Sequence, residues 1–255
     1  MTIAFGREKN KEEIEAIIKK NFSNIGQGMM EMLYFLSHPE LVPARITYEG
    51  EQHLKKALSD GRGVIAVTAH FGNFPLMMLA LAQRGYPAHC VIRPARDEEL
   101  EKYLLRRRTE VGLKTIYAIP RKECVDATLK ALRSNELVFI PLDQHFGSGG
   151  GVYVDFFGQK AATATGPVVF ARRAKAAILP MFIIRQKDDH HKVIIEPPVA
   201  LAEHEQEDEA LRLSVEKITR LIEQYIRKYP YEWGWMHRRW KNQPAQKENK
   251  EESLI

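Results

Sequence analysis

Cysteine is scarce in this chain of 255 residues. Cys90 and Cys124 are not in a CxxC spacing, so neither a disulfide scaffold nor a thiolate metal site is predicted. Long hydrophobic runs are also absent, because the longest, residues 74–82, falls well short of the roughly 18 that a membrane-spanning helix needs. The N-terminus lacks the apolar core of a signal peptide. These absences favour a reducing compartment and exclude all but peripheral contact with a membrane.

The charge balance is mildly basic, with 38 Lys and Arg against 33 Asp and Glu. Much of the excess lies in short blocks, at residues 106–108 and 238–241. Such blocks are typical of a surface that binds a phosphate-bearing partner, or of a surface that contacts only solvent. No aromatic-basic motif typical of nucleic-acid binding accompanies them. A hydrophobic share of 44% provides for a globular core, which excludes a disordered or fibrous chain.

Hydrophobic periodicity divides the chain into a helical start and an α/β remainder. Residues 1–42 are interpreted as an N-terminal helical extension of one or two amphipathic helices. Short apolar runs then alternate with amphipathic segments, which predicts an α/β fold with a mostly parallel central sheet flanked by helices. The predicted strands are 46–48, 64–68, 89–92, 137–142, 178–184 and 193–195, and the segment VYVDFFG (152–158) also has the pattern of a strand. Three of these, 64–68, 137–142 and 178–184, are apolar on successive residues, as central strands are.

Helices are predicted between the strands, near residues 51–59, 74–84, 97–111, 122–134 and 165–176, with a long one around 211–229. The polar residues 188–191 mark the tip of a hairpin. No internal repeat or linker interrupts this pattern, so residues 1–241 are interpreted as a single domain. The polar, aperiodic residues 242–255 are predicted to form a disordered tail.

Polar side chains follow four of the predicted strands at their carboxyl ends, where ligands collect in an open parallel sheet. They are expected to converge on one rim and comprise His70, Asn73, Arg93, Asp143, Gln144, His145 and Arg185. An imidazole titrates near neutral pH, so His70 is the candidate to take a proton from an attacking hydroxyl. The alternative is that His70 is structural, as a lone histidine after a strand usually is.

Five segments resemble, in the same order, the lipid A biosynthesis acyltransferases, the lauroyl and myristoyl transferases within the lysophospholipid acyltransferase superfamily. They are TAHFGNF (68–74), RPARDEEL (93–100), ALRSNELVFIPLDQH (131–145), GVYVDFFGQKAATATGPVVFARRAKAAILP (151–180) and YPYEWGWMHRRWK (229–241). Together with the N-terminal helices, the resemblance covers nearly the whole chain up to residue 241. It implies a glycerolipid acyltransferase-like fold.

The resemblance also implies an activity. A fatty acyl group passes from a thioester of acyl carrier protein or coenzyme A to a hydroxyl of a membrane glycolipid of the lipid A precursor type, or of a related lipid. No metal or other cofactor is implied, and no nucleic acid. The implied location is the cytoplasmic face of the inner membrane, where this chain would be peripheral.

The sequence departs from the family pattern at one catalytic position. In the family, four residues separate the histidine from an acid. In this chain residues 71–74 follow His70, and Pro75 stands at the position of the acid. Asp143 is predicted to replace that acid by orienting His70, with Glu98 and Glu99 as the next candidates. Three alternatives stay open: Asp143 only caps a loop, His70 works without an acid, or the chain is a non-catalytic lipid-binding or accessory homologue.

The predicted substrate-binding residues are Asn73, Arg93, Gln144, Thr165, Gly166 and Arg172. Thr165 and Gly166 begin a helix whose free N–H groups and dipole can bind phosphate. Arg93 can hold a phosphate or an oxyanion, or else pair with Glu98 or Glu99. The early helix and the tryptophan-rich segment 233–241 are candidates for contact with a membrane surface, although burial of tryptophan in the core is the alternative for the second.

Overall fold

The computed structural model describes residues 1–147 and 151–241. The strands within them are β1 Ile46–Glu49, β2 Val64–Thr68, β3 Ala88–Ile92, β4 Lys114–Tyr117, β5 Leu137–Pro141, β6 Gly151–Phe156, β7 Gln159–Ala164, β8 Ala177–Arg185 and β9 His191–Ile195. All except β6 and β7 form a seven-stranded sheet, and β6 and β7 form a separate antiparallel hairpin. The tail predicted for residues 242–255 lies outside the described residues.

The α-helices are α1 Thr2–Phe5, α2 Lys11–Ser37, α3 Val42–Arg45, α4 Glu51–Ser59, α5 Phe74–Gln83, α6 Glu98–Glu110, α7 Arg121–Arg133, α8 Gly166–Ala174 and α9 Glu207–Lys228. The predicted N-terminal helical extension is confirmed by α2. This helix starts at a capping box, in which Asn10 and Glu13 each accept the other's backbone N–H. None of the helices in the described parts of the chain is long and apolar enough to cross a membrane.

The sheet has the strand order β1-β9-β8-β2-β5-β3-β4. Every neighbouring pair is parallel except β8 and β9, whose antiparallel pairing confirms the predicted hairpin around residues 188–191. The three runs predicted to be central, β2, β5 and β8, are the three middle strands. The α/β architecture with a mostly parallel sheet flanked by helices is therefore confirmed.

The core lies on both faces of this sheet. Along β2, Ile65 and Val67 belong to one apolar cluster, whereas Val64 and Ala66 belong to the other. Both faces of a central strand are thus covered, which is why its residues are apolar in succession and not in alternation.

Two strands were not predicted from the sequence. The edge strand β4 contains Lys114 and Thr115, so it lacks the apolar run that a central strand needs. The hairpin strand β7 is built from small residues, AATA, after Gln159 and Lys160, and it shows no alternation of large apolar and polar side chains.

Candidate active site

The chain leaves the sheet after β2 in a tight turn that carries His70. Gly72 adopts φ 57°, and a Cβ atom there would lie 2.2 Å from the carbonyl oxygen of Ile183. Asn73 then caps α5 by accepting the Leu76 N–H, and Pro75 lies in the first helical turn, where its missing N–H costs nothing. The acid of the family pattern is therefore absent without any damage to the helix start.

The turn is fastened by the segment 231–235. The Gly72 N–H donates to the carbonyl of Glu232, the Gly234 N–H donates to the carbonyl of His70, and Phe71 forms a β-bridge with Trp233. These bonds fix the backbone on both sides of the histidine ring.

The structure brings His70 and Asp143 together at this rim. The Nδ1 atom of His70 lies 2.8 Å from Oδ1 of Asp143, and the His70 backbone N–H donates to Oδ2 over 3.0 Å. The indole N–H of Trp233 donates to the same Oδ2 over 2.7 Å. Because the carboxylate accepts from Nδ1–H, the lone pair of His70 is on Nε2, the nitrogen that faces away from the acid.

Asp143 is 1% exposed, yet it is held in its ionised form. Burial alone raises the pKa of its carboxyl, but the hydrogen bond and charge of His70, together with the Trp233 N–H, lower that pKa below its ordinary value. Asp143 therefore keeps the acceptor that orients the His70 ring. The other candidate acids do not reach His70: Glu99, for example, is exposed and pairs with Lys102.

Gln144 lies at the free nitrogen of His70. Its Nε2 atom is 3.0 Å from Nε2 of His70 and 3.1 Å from Nε2 of His237, so one amide group contacts both rings. Burial, aided by the neighbouring His70, lowers the pKa of His237 and favours its neutral form. A hydroxyl that approached Nε2 of His70 would take the place of this amide.

Two cavities meet at His70. The first, which we call the sheet cavity, has a volume of about 610 Å³ and lies between α5, α6 and the strands β3 and β5. Its rim carries His70, Arg93 and Gln144, and its walls are otherwise mostly apolar. The second, the helix cavity, has a volume of about 480 Å³ and lies between α2, the start of α5 and residues 232–237. Both volumes are typical of small-molecule sites, which occupy roughly 300–1,000 Å³.

Two more of the predicted substrate-binding residues line these cavities. Asn73 lines the helix cavity and donates to Glu31 and to the Gly28 carbonyl, so it ties α5 to α2. Arg93 is exposed on the sheet cavity, and no carboxylate within the described residues lies in ion-pair distance of it. The pairing of Arg93 with Glu98 or Glu99 that the sequence left open is therefore not found.

The structure does not bring the other predicted substrate-binding residues into these cavities. Thr165 and Gly166 begin α8 as predicted, but neither lines the sheet cavity or the helix cavity. Arg172 also lies outside both, with its guanidinium 3.8 Å from the carboxylate of Glu207.

The segment 233–241 contributes to the site in ways that the sequence did not predict. Trp233 is fully buried against Asp143, so the alternative of tryptophan burial is confirmed for this residue. Arg239, from a block interpreted as a phosphate-binding or solvated surface, is also fully buried. It donates to the carbonyls of Gln144 and Ala162 and thereby ties the Asp143 loop to the β6–β7 hairpin.

Comparison with known proteins gives a consistent result. A family model described as bacterial lipid A biosynthesis acyltransferase matches residues 1–242. The lipid A biosynthesis lauroyltransferase of Escherichia coli (strain K12) is 28% identical in an alignment of 245 residues that covers 93% of this chain and 76% of the relative. The palmitoleoyltransferase of the same organism is 27% identical over 244 residues, with the same coverage. A phosphatidylinositol mannoside acyltransferase of Mycobacterium tuberculosis (strain CDC 1551 / Oshkosh) is 27% identical over 132 residues, 51% of this chain and 42% of the relative.

Proposed function

The chain belongs to the bacterial lipid A biosynthesis acyltransferase family, and on this premise we propose that it transfers a fatty acyl group from an acyl thioester to a hydroxyl of a glycolipid. The observation that carries the proposal is the His70–Asp143 pair at the junction of two cavities. One cavity then serves the acyl donor and the other the acceptor.

In the proposed mechanism, the acceptor hydroxyl donates to Nε2 of His70 and loses its proton to that nitrogen as its oxygen attacks the thioester carbonyl. Asp143 keeps the proton on Nδ1 and stabilises the imidazolium that forms. The tetrahedral intermediate collapses, the C–S bond breaks, and the thiolate takes the proton from His70. The products are an ester and a free thiol, and the amide of Gln144 gives up its contact with Nε2 of His70 to the acceptor hydroxyl.

The sheet cavity is the proposed site of the acyl chain, because its walls are apolar and its rim carries His70. Acyl carrier protein and coenzyme A both present their thioester on a phosphate-bearing arm. Arg93 is exposed at the rim and has no ion-pair partner among the described residues, so it suits that phosphate, whichever carrier delivers the chain.

The test of this function is a transfer assay with the purified chain, thioesters of acyl carrier protein and of coenzyme A, and a lipid A precursor as acceptor. An acylated glycolipid and a free thiol in equal amounts are the expected products. The alternative, favoured by Pro75 in the position of the family acid, is a non-catalytic lipid-binding homologue. This alternative predicts that acylated lipids bind to the protein but that no acylated glycolipid or free thiol is formed.

Chain-length preference is expected to depend on the far end of the sheet cavity. Cys90 lines this cavity and is level with Phe139 and Ala66 in the sheet. Ala66 is four residues before His70, so the cavity extends on the order of 13 Å from the level of His70 at the strand rise of ~3.3 Å per residue. Val111 follows the end of α6, which runs back from the rim, so it lies at the deep end.

Val111→Phe is therefore expected to shift specificity towards shorter acyl chains. Filling the deep end costs roughly 1–3 kcal/mol for a chain that reaches it and nothing for one that does not. The ratio of kcat/KM for a long donor to that for a short donor should fall about tenfold or more. Val199→Phe is the matched control, since Val199 is half-buried and outside both cavities. If Val111→Phe lowered kcat/KM equally for the long and the short donor, the assignment of the sheet cavity to the acyl chain would be contradicted.

We also propose peripheral attachment to the cytoplasmic face of the inner membrane through α2. Ile18, Phe22, Met29 and Leu33 lie on one face of this helix at helical spacing and are 37% to 65% exposed. Met29 and Leu33 also line the helix cavity, beside the exposed Met236. An apolar stripe at the mouth of a cavity lets a lipid pass from the membrane surface towards His70.

Aspartate at Phe22, Met29 and Leu33 together is expected to weaken binding to vesicles of anionic phospholipid by tenfold or more, because each change removes an apolar side chain and adds repulsion. Flotation of the purified protein with such vesicles measures the effect. Aspartate at Ala16, Ser23 and Gln27 adds the same charge at exposed positions of α2 outside the stripe. If this control triple variant lost as much binding, charge alone would explain the effect and the stripe would have no role.

A further inference from the structure

The helix cavity has a polar floor beneath its apolar walls. The floor is formed by Asn24, Asn73, Arg185, His191 and Glu232. Glu232 is 6% exposed, yet its Oε1 atom has no hydrogen-bond partner within the described residues, and Oδ1 of Asn24 has none either. Buried acceptors of this kind are costly unless something binds them, so the two oxygens point to a ligand.

The position of Glu232 follows from the backbone pairing that fixes His70. Glu232 and Trp233 are successive residues of the segment that pairs with the His70 turn, through the Glu232 carbonyl and the bridge between Phe71 and Trp233. Trp233 reaches the carboxylate of Asp143, whereas Glu232 lines the helix cavity. The same short segment therefore supports the acid of the proposed catalytic pair and presents a second acid to the acceptor side.

The charges on the floor do not suit a phosphate. Arg185 is already paired with Glu31, with Nη2 2.8 Å from Oε2, and lies 3.6 Å from Asp189. Burial lowers the pKa of His191 to about 4, despite the neighbouring Glu31, so this ring is neutral at pH 7.

Glu232 itself carries at most a partial negative charge. Burial raises the pKa of its carboxyl to about 7, against the opposing charges of Arg185 and Lys20. With its cation already paired and its free atoms mainly hydrogen-bond acceptors, the floor favours a group that donates hydrogen bonds and carries no charge.

We propose that this floor binds the hydroxyl groups of a sugar in the acceptor, with Glu232 and Asn24 accepting hydrogen bonds from them. The inference rests on the proposed function and assigns the headgroup to the helix cavity, on the side of His70 away from the acyl chain. A sugar offers several hydroxyl donors in a fixed arrangement. Two of them satisfy the unpartnered oxygens while a third approaches Nε2 of His70.

The test compares two acceptors that share an alkyl chain, dodecyl glucoside and dodecanol. Glu232→Ala is expected to lower the ratio of kcat/KM for the glucoside to that for the alcohol by about tenfold, as loss of a hydrogen bond to a buried acid does. Glu232→Gln keeps an acceptor oxygen and should recover most of the ratio. Glu196→Ala, at a half-buried acid outside both cavities, should leave the ratio unchanged.

An unchanged ratio in Glu232→Ala would overturn the proposal, and so would failure of Glu232→Gln to restore a lost ratio. If Glu232→Ala does not fold, Asn24→Leu applies the same comparison to the other unpartnered oxygen. Should the wild-type chain transfer to neither of these acceptors, the assay with a lipid A precursor decides the proposed function, and binding of the two lipids to wild-type and Glu232→Ala protein still decides the role of the floor. A preference for the glucoside that disappears in the variant supports it, and equal binding overturns it.

Discussion

His70→Ala is expected to lower kcat/KM for acyl transfer by about 10²–10⁴-fold, the contribution that a general base usually makes. The reason is geometric, because Nε2 of His70 lies at the meeting point of the two cavities and Nδ1 is held by Asp143. The change removes the only group of this pair that can accept the hydroxyl proton.

Rates of transfer with a saturating thioester measure this effect, and binding of the acyl thioester is measured in parallel. His204→Ala is the control, since His204 is exposed and lines neither cavity. Donor binding with little transfer is the expected behaviour of the His70 variant. Transfer at the wild-type rate would remove His70 from the mechanism.

Asp143→Asn is expected to cause a loss of similar size, on the order of 10²–10⁴-fold. An amide at this position can still accept the Trp233 and His70 backbone N–H groups, but its own NH₂ group then faces Nδ1 of His70. The ring must accept there, so its proton moves to Nε2 and the base is lost. Asp155→Asn, at an exposed position of β6, is the matched control.

The same substitution has a pH signature in stability. Because the pKa of Asp143 is lowered in the folded protein, its ionised form stabilises the fold above its ordinary pKa of about 3.9 and loses this contribution as the pH falls through the folded-state pKa. The difference in unfolding free energy between wild type and Asp143→Asn should therefore shrink below about pH 4. In the activity assay, a transfer rate of Asp143→Asn equal to that of the wild type would contradict the role of Asp143 and would favour a His70 that works without an acid.

The sheet and its rim were predictable because their signals are local. The runs at β2, β5 and β8 are apolar on both faces, and parallel strands deliver whatever follows them to one edge. His70 and Asp143 meet for that reason, although they are 73 residues apart.

The remaining features of the site depend on distant pairings that no local pattern encodes. Trp233 is 90 residues from its partner Asp143, and Arg239 is 77 residues from the carbonyl of Ala162 that it binds. A block of arginine and lysine between tryptophans is typical of an exposed surface. The cost of burying Arg239 is offset by acceptors that only the folded chain supplies, the carbonyls of Gln144 and Ala162 and the hydroxyl of Thr163. The role inferred for Glu232 has the same origin, since its backbone carbonyl binds the Gly72 N–H of the distant His70 turn while its side chain lines the helix cavity.

The central claim is that His70 and Asp143 act as one unit, and a double-mutant cycle tests it most directly. Single-turnover transfer rates are measured for wild type, His70→Ala, Asp143→Asn and the double variant. If Asp143 acts only by orienting the imidazole, the double variant should be no more than a few-fold slower than His70→Ala, because no ring remains to be oriented. Losses that multiply, so that the double variant is slower by the product of both single effects, would contradict the account.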